Sequence, residues 1–520
     1  FPVIVGDTIY AQPMAYDLKT GAPKGRSDPL TGQETPWTFV RAYGCGAVSA
    51  APNLLLFRSG TFGFYDLAGD SGIHNFGGIR PGCFVNMIAA SGLVLIPEGS
   101  SACTCAYNFQ TSVALAPTRK QEDWGVFSGV MPSGRVRRLA VNLGAPGDKR
   151  DEDGTMWLGF PRPSFHAAVR VPLVTDIRSE PRYYRRNADE VVVKRTTRPW
   201  LYASGATDVR SIVTSLMIPR RVAAVPCPQP PKIDGTLDDS CWDEEAALTL
   251  TDDAQNLDRS ARAFLCQDDD NLYVAFDRRG VEGAGEPLKL TMRTGGEDAP
   301  VWNDDSWEVF LSDARRAGYV QLGASASGAR FDGAYKYASD KSVNPGWNGQ
   351  WTCAKSVRPD GWTLEMAIPW ATLADAGLAR DRLTINIRGH NRTGTGPAVV
   401  RLTDPGSRGF GRCERFVPVV VGRPEPSEPH RYTVRLHFAE PGGAKPGQRV
   451  FDVRLQGKTV LRGFDIVTEA SGPGAALVKE FDGVRASGTM QIDFVPKTEA
   501  PSLARAAIIS AVELIAEEGS

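Results

Sequence analysis

The stretch VWNDDSWEVFLSD, residues 301–313, decides how the chain is read. Trp307, Val309 and Leu311 recur with period two, the spacing of a strand that lays one face on a core. NLYVAF at 271–276 repeats the pattern, with Leu272, Val274 and Phe276 alternating with Tyr273 and Ala275. PDG at 359–361 then makes a turn ahead of another such run, WTLEMAI. Short alternating runs separated by turn formers predict a β-sandwich here.

Working outward, two proline-rich stretches flank this region, VPCPQPPK at 225–232 and GRPEPSEP at 422–429. Proline supplies no N–H and restricts the residue before it, so neither stretch is helix or central strand. They read as linkers around an inserted block.

The 520 residues exceed what one core supports, and at about 150 residues per domain they predict three or four domains. The composition, 42% apolar and 23% charged with 54 Gly and 37 Pro, is globular and rich in turns, which excludes helical bundles, coiled coils and collagen. The 59 basic and 60 acidic residues cancel without long runs of either sign. That argues against nucleic acid and against an anionic bilayer as partners. No run approaches the ~20 apolar residues of a membrane span. The chain opens at Phe1 inside a strand pattern, which predicts a fragment or a processed chain.

Residues 1–120 alternate short strands with Gly-centred turns in PVIVGDTIYAQPMAYDLKTG (2–21), LLLFRSGTFGFYDLAGD (54–70) and GLVLIPEGSSACTCAYNFQTSVALAP (92–117). GDTIYA followed by AYDLKTG resembles the blade repeat of pyrroloquinoline-quinone-type (PQQ-like) β-propellers. A propeller needs at least four blades of about 40 residues, so this length implies only part of one. No residue set for the quinone is visible, and neither quinone nor nucleotide is expected as a cofactor.

Outside the linkers, RRLAVNLGAPGDKRDEDGTMWLGFPRP (137–163) and the later YTVRLHFAE, RVFDVRLQGK, LRGFDI and AIISAVELIAE (432–517) resemble the malectin fold in order. One malectin-like sandwich split in sequence follows, 124–222 with 429–518, since either half alone would leave a sheet edge unpaired. In sugar-binding malectin, aromatic residues follow the FAE strand end. Here FAE at 438–440 is followed by Pro441, Gly442 and Gly443, and the late loop is KTEAPSLARA. This part is therefore expected to act as scaffold or protein contact, with Tyr183 and Tyr184 the only hint of a second sugar site.

The block at 225–424 contains KIDGTLDDSCWDEEAALTL, RAFLCQDDDNLYVAFDRR, VWNDDSWEVFLSD, GWNGQWTCAKSVRPDGWTLEMAIPWATL and LTINIRGHNR. In that order they resemble the family 9 carbohydrate-binding module, which implies a sugar-binding β-sandwich with structural calcium. Sugars stack their C–H faces on flat rings, so the site needs aromatics outside the core. Trp242, Trp307, Trp362 and Trp370 lie in core patterns, whereas Trp302 and Trp347 stand in turn-rich segments and Trp351 starts a strand. The family stacks its sugar between two tryptophans, and Trp302 with Trp347 are the candidate pair; the alternative is that both fold back on the sandwich edge. Asn348, Arg388 and Asn391 are candidate donors to sugar hydroxyls. Arg388 reads equally well as the partner of Glu308 or Glu365. Asp304 and Asp305 supply hard oxygens for the calcium that the resemblance implies, without the spacing of a helix-loop-helix site. The acidic run at 148–154 reads as a hairpin turn or a cation site.

Nine cysteines beside five histidines suggest disulfides and an exported protein, secreted, periplasmic or at the cell surface. Cys103 and Cys105 share a strand face, which makes Cys45 and Cys83 their natural partners, with a thiolate metal site or free thiols as alternatives. Cys227 and Cys413 lie near the two ends of the insert, where a bridge would clamp it. No flanking carboxylate pair, nucleophile elbow, metalloprotease helix or nucleotide loop is present. The sequence thus predicts non-catalytic binding of polysaccharide or oligosaccharide. The rivals are the non-catalytic part of a larger carbohydrate-active or quinone-dependent enzyme, and an adhesion module that contacts other cell-surface proteins.

Overall fold

Strands make up 51% and helices 5% of the computed structural model, so the protein is all-β. The structure describes residues 2–41, 44–82, 84, 86–97, 112–118, 123–129, 134–162, 169, 171–218, 222–244, 246–250, 261–279, 290–313, 318–335, 347–392, 398–402, 416–422, 428–498 and 501–517. Two compact units emerge, one of residues 1–173, 177–218 and 429–520, the other of 174–176 and 219–428.

In the second unit, alternating apolar residues make two antiparallel layers. One sets Asn271–Arg279 between Ala261–Gln267 and Gly361–Pro369, with Thr352–Arg358 beyond. The other sets Ser306–Asp313 between Tyr319–Ser325 and Leu383–Asn391, with Arg330–Tyr335 at the edge. Strand Val222–Pro226 runs parallel to both Ala261–Gln267 and Val417–Val421, and so joins the two layers into one ladder. Trp307, Val309 and Leu311 point into the space between the layers, all nearly or fully buried. The Trp307 ring lies flat on Phe276, 4.7 Å away at 8°, and 6.2 Å from Trp362. Its register partner is Gly389, where a Cβ would stand 2.2 Å from the indole Cζ3.

Asn271–Arg279 departs from the half-buried strand that its alternation suggests. Leu272, Val274 and Phe276 face the inter-layer core, but Tyr273 and Ala275 are buried as well. The reason is the leading segment, whose Ile233, Leu237 and Trp242 cover the opposite face. Glu365 anchors that segment by accepting hydrogen bonds from the backbone N–H groups of Asp234 and Gly235 and from the Trp242 indole N–H.

In the first unit, strands from before and after the insert share both sheets. Arg138–Leu143 lies parallel to Met156–Phe160 on one side and antiparallel to Ala511–Ala516 on the other. Ala511–Ala516 in turn pairs with His430–Phe438. The second sheet sets Val209–Ser215 against Thr489–Pro496, followed by Val450–Leu455 and Lys458–Asp465. Tyr432, Val434, Leu436 and Phe438 alternate into the common core. Asp148 is buried without cost in unpaired charge: Arg162 pairs with it, and the N–H groups of Phe127 and Gly159 donate to it. Residues 3–17, residues 49–76, and strands Ile88–Ala90, Leu93–Ile96 and Val113–Leu115 form small antiparallel meanders, consistent with part of a propeller.

Two consequences are measurable. Gly389→Ala drives a methyl into the Trp307 ring and should cost about 1–3 kcal/mol, as overpacking does, read as a lower urea midpoint with unchanged slope. His437 is buried against Trp157 and hydrogen-bonded to the Tyr202 hydroxyl, and burial pushes its pKa down to about 3. The unfolded chain, with a histidine pKa of about 6.5, then binds a proton that the native state refuses. Stability should therefore fall as pH drops from about 6.5 towards 3, by up to about 1.4 kcal/mol per pH unit, and His437→Gln should flatten that slope.

Candidate functional site

The alternation that turns Trp307 inward turns Glu308 onto the outer face of its sheet. Gln321 and His390, diagonal to it on the flanking strands, reach its carboxylate: Gln321 Nε2 donates to Oε1 at 2.5 Å, and His390 Nε2 lies 2.6 Å from Oε2. Burial lowers the His390 pKa against the raising effect of Glu308. The neutral ring thus donates from Nε2 and leaves Nδ1 to accept from Arg392, 3.4 Å away. Arg392 also donates from Nε to the Trp302 carbonyl at 2.8 Å. At the other end, the Tyr335 hydroxyl donates to Gln321 at 3.2 Å, and its ring stacks on Tyr319 at 4.4 Å. A continuous polar ladder therefore runs from Tyr335 to Trp302. Glu308, Gln321 and His390 are buried, Trp302, Arg388 and Asn391 are half-buried, and Arg392 is exposed.

The tryptophans fall into distinct environments. Trp302 sits in a single helical turn, Val301–Asn303, and packs edge-on against Phe331 at 5.1 Å. Trp347 is half-buried, folds over Gly349 and packs against the inter-layer core. Gly349 N–H and the Trp351 indole both donate to Asp332, which points to the face of strand Arg330–Tyr335 opposite Phe331. Trp302 thus packs on one face of that strand, and the loop that carries Trp347 is tied to Asp332 on the other by Gly349 and Trp351. Trp351 needs correcting as a stacking candidate, because it is 5% exposed, with the Arg330 guanidinium 4.2 Å above its ring. Trp370, read as core, is half-buried at a helix start, covered by Arg380 at 4.7 Å.

Asn348 is exposed beside Trp347. Arg388 stands opposite Glu308 in register, whereas Glu365 is committed to the leading segment, which removes it as the partner of Arg388. Gln321, His390 and Arg392 were not singled out from sequence. Their signal is the outward half of the same alternation, since Glu308 must face away from the side that carries Trp307 and Val309.

Asp304 and Asp305 are both fully buried. One oxygen of Asp304 accepts from the N–H groups of Arg293 and Thr294 and the Ser327 hydroxyl, and one of Asp305 accepts from Thr291 N–H. Among the described residues the Oδ1 atom of each accepts no hydrogen bond of normal geometry. These two oxygens are the hard-oxygen donors present here, against the roughly six to eight that calcium takes. No group of three or more His, Cys, Asp or Glu positioned for a metal occurs among the described residues. In the acidic run at 148–154, Asp151 accepts from Asp153 N–H, Thr155 N–H and the Trp157 indole, which makes it a closed hairpin turn.

Of the cysteines, Cys45, Cys227, Cys241, Cys266 and Cys353 carry free thiols. Cys83, Cys103, Cys105 and Cys413 lie outside the described residues. Cys227 shares a buried cluster with Cys266, and its expected partner Cys413 lies outside the described residues. Tyr184 is held by Ser510 at 3.1 Å, and burial pushes its pKa up to about 12, while Tyr183 packs on the core. A Ser71–His74–Asp123 relay has distances of 3.0 and 2.6 Å. Its geometry is structural: His74 stacks on Phe64 at 4.7 Å, and a Cβ on Gly125 would stand 3.1 Å from Nε2, so backbone fills the approach to Ser71.

Against known families, residues 233–416 match the model for carbohydrate family 9 binding domain-like sequences, and residues 426–500 match the malectin domain. Two probable leucine-rich-repeat receptor-like serine/threonine-protein kinases of Arabidopsis thaliana are similar to this chain, at 42% identity over 67 residues and 29% over 135. These matches cover 12% and 25% of this chain, and only 7% and 12% of the two kinases. Among solved structures, a family 9 module from Caldicellulosiruptor kristjanssonii in complex with glucose has a TM-score of 0.27 at 14% identity, covering 40% of this chain and 98% of that one. The ANX2 ectodomain of Arabidopsis thaliana has a TM-score of 0.15 at 9% identity, covering 73% and 96%. At such scores the likeness says nothing about ligand. Among the described residues no helix is long and apolar enough to cross a membrane.

Proposed function

We propose that the unit of residues 219–428 binds polysaccharide or oligosaccharide without cleaving it, in a protein that works outside the cytoplasm. The family-model match supports the class of ligand. The observation that carries the reading is Trp302, half-buried on the outer sheet face, its edge held by Phe331 and its backbone by Arg392. A flat ring so placed offers a stacking surface, and the half-buried Arg388 and Asn391 with the exposed Arg392 are donors suited to sugar hydroxyls. Half-buried Trp347 and exposed Asn348 offer a second ring and a further donor to the sugar. The first unit acts as presentation scaffold, in keeping with Tyr183 and Tyr184 being engaged internally. Binding of order micromolar to millimolar, about 4–8 kcal/mol, is expected for one such platform.

In affinity electrophoresis against plant and algal polysaccharides, wild type should be retarded by at least one glycan. Trp302→Ala should lose that retardation with unchanged circular dichroism, and Trp347→Ala should retain most of it. Loss in Trp347→Ala alone would move the platform to residues 347–351, and no retardation of wild type would refute sugar binding.

Calcium, held by the unclaimed oxygens of Asp304 and Asp305, would tie residues 290–305 to the sheet. Millimolar calcium should raise the melting midpoint of wild type and leave Asp304→Asn unmoved; an equal response in both would refute the site.

A further inference from the structure

Three cysteines from three separate segments meet on the outer face of strand Ala261–Gln267. Parallel pairing sets Val225 beside Cys266, and Cys227 N–H donates to the Gln267 carbonyl at 2.8 Å, which brings Cys227 alongside Cys266. Cys241 arrives from the leading segment, one residue before the Trp242 that Glu365 anchors. Cys227 and Cys266 belong to one buried cluster, and Cys241 packs against it. Trp242, Phe264 and Tyr273 close the cluster with apolar surface.

The three sulfurs are not equivalent. Cys266 is fully buried and Cys227 is 5% exposed, whereas Cys241 is half-buried and lines a cavity of 480 Å³ beside Pro228, Gln229 and Ser240. The Cys266 hydrogen bond holds the Cys241 pKa below the ordinary thiol value. The thiol partnered by Cys241 is raised in turn, by that hydrogen bond and by burial, and burial raises Cys227 too. One accessible, acidified thiol thus stands at a cavity mouth with a shielded thiol behind it.

We propose that Cys241 and Cys266 are a disulfide site, closed by exchange with a small-molecule disulfide, and that Cys227 stays a thiol beside them. The Cys241 thiolate attacks one sulfur of the incoming disulfide, RSSR, forming a mixed disulfide and releasing one RS⁻, which takes up the proton that Cys241 gave up. Cys266 then attacks Cys241 Sγ, and the second R group leaves as RSH carrying the Cys266 proton. Two protein thiols are oxidised to one disulfide, and RSSR is reduced to two RSH. The bond staples the leading segment to strand Ala261–Gln267, supplementing Glu365 as its anchor.

The test is peptide mapping of the full chain. Protein reduced and freed of reductant is incubated with oxidised glutathione, alkylated in denaturant and digested without reduction. A Cys241–Cys266 linked peptide with alkylated Cys227 is expected, and the same link should persist in Cys227→Ser, so that loss of a neighbouring thiol is distinguished from loss of the site. Dithiothreitol should also lower the melting midpoint of the oxidised wild type by a few degrees and leave Cys241→Ser unmoved. Cys241 and Cys266 both alkylated after oxidation, or either linked to another cysteine, would overturn the assignment.

Discussion

The packing of Trp307 against Phe276, Trp362 and Gly389 sets the spacing of the two layers in the second unit. A flat indole stacked on Phe276 at 4.7 Å and lying on a glycine leaves no slack, because interiors pack as densely as organic crystals and a displaced layer loses contacts along its whole length. The strand that carries Trp307 has a side-chain period of two, so the inward position of this ring dictates the outward position of Glu308. The core contact and the polar ladder are therefore two sides of one constraint. A register slip of one residue would bury Glu308 between the layers and expose the indole.

That coupling explains why buried charge is tolerated on the outer face. Glu308 is covered, yet Gln321 and His390 occupy both its oxygens, and His390 hands the chain of hydrogen bonds on to Arg392 and the backbone of Trp302. An isolated carboxylate there would be costly, whereas a connected network is rigid. Rigidity at Trp302 suits the stacking role proposed for it, since a ring already held in place loses little freedom when it meets a flat ligand. The same logic of satisfied burial recurs at Glu365, which accepts three donors from the leading segment, and at Asp148 in the first unit.

The first unit meets a different difficulty, that of a sandwich interrupted by some 200 residues of another fold. Its two sheets tolerate the break because Ala511–Ala516 inserts between Arg138–Leu143 and His430–Phe438, so the last strand of the chain stitches the earlier half to the later one.

Alternation and turn placement alone were enough to specify the all-β class, the inward face of Ser306–Asp313 and the burial of Trp242, Trp307 and Trp362, because side-chain periodicity is a local property of the chain. The outer face of Asn271–Arg279 was not legible, since its covering by Ile233, Leu237 and Trp242 comes from a segment that pairs with nothing nearby in sequence. Trp302 and Trp347 look alike in sequence, each a tryptophan among turn formers, and only the positions of Phe331 and Asp332 on opposite faces of one strand separate them. Trp351 stands at a strand start, where the sequence leaves its burial open; Asp332 and Arg330 decide it. The Cys227–Cys241–Cys266 contact is likewise a matter of tertiary pairing: a parallel strand and a returning loop bring together sulfurs that spacing alone leaves unrelated.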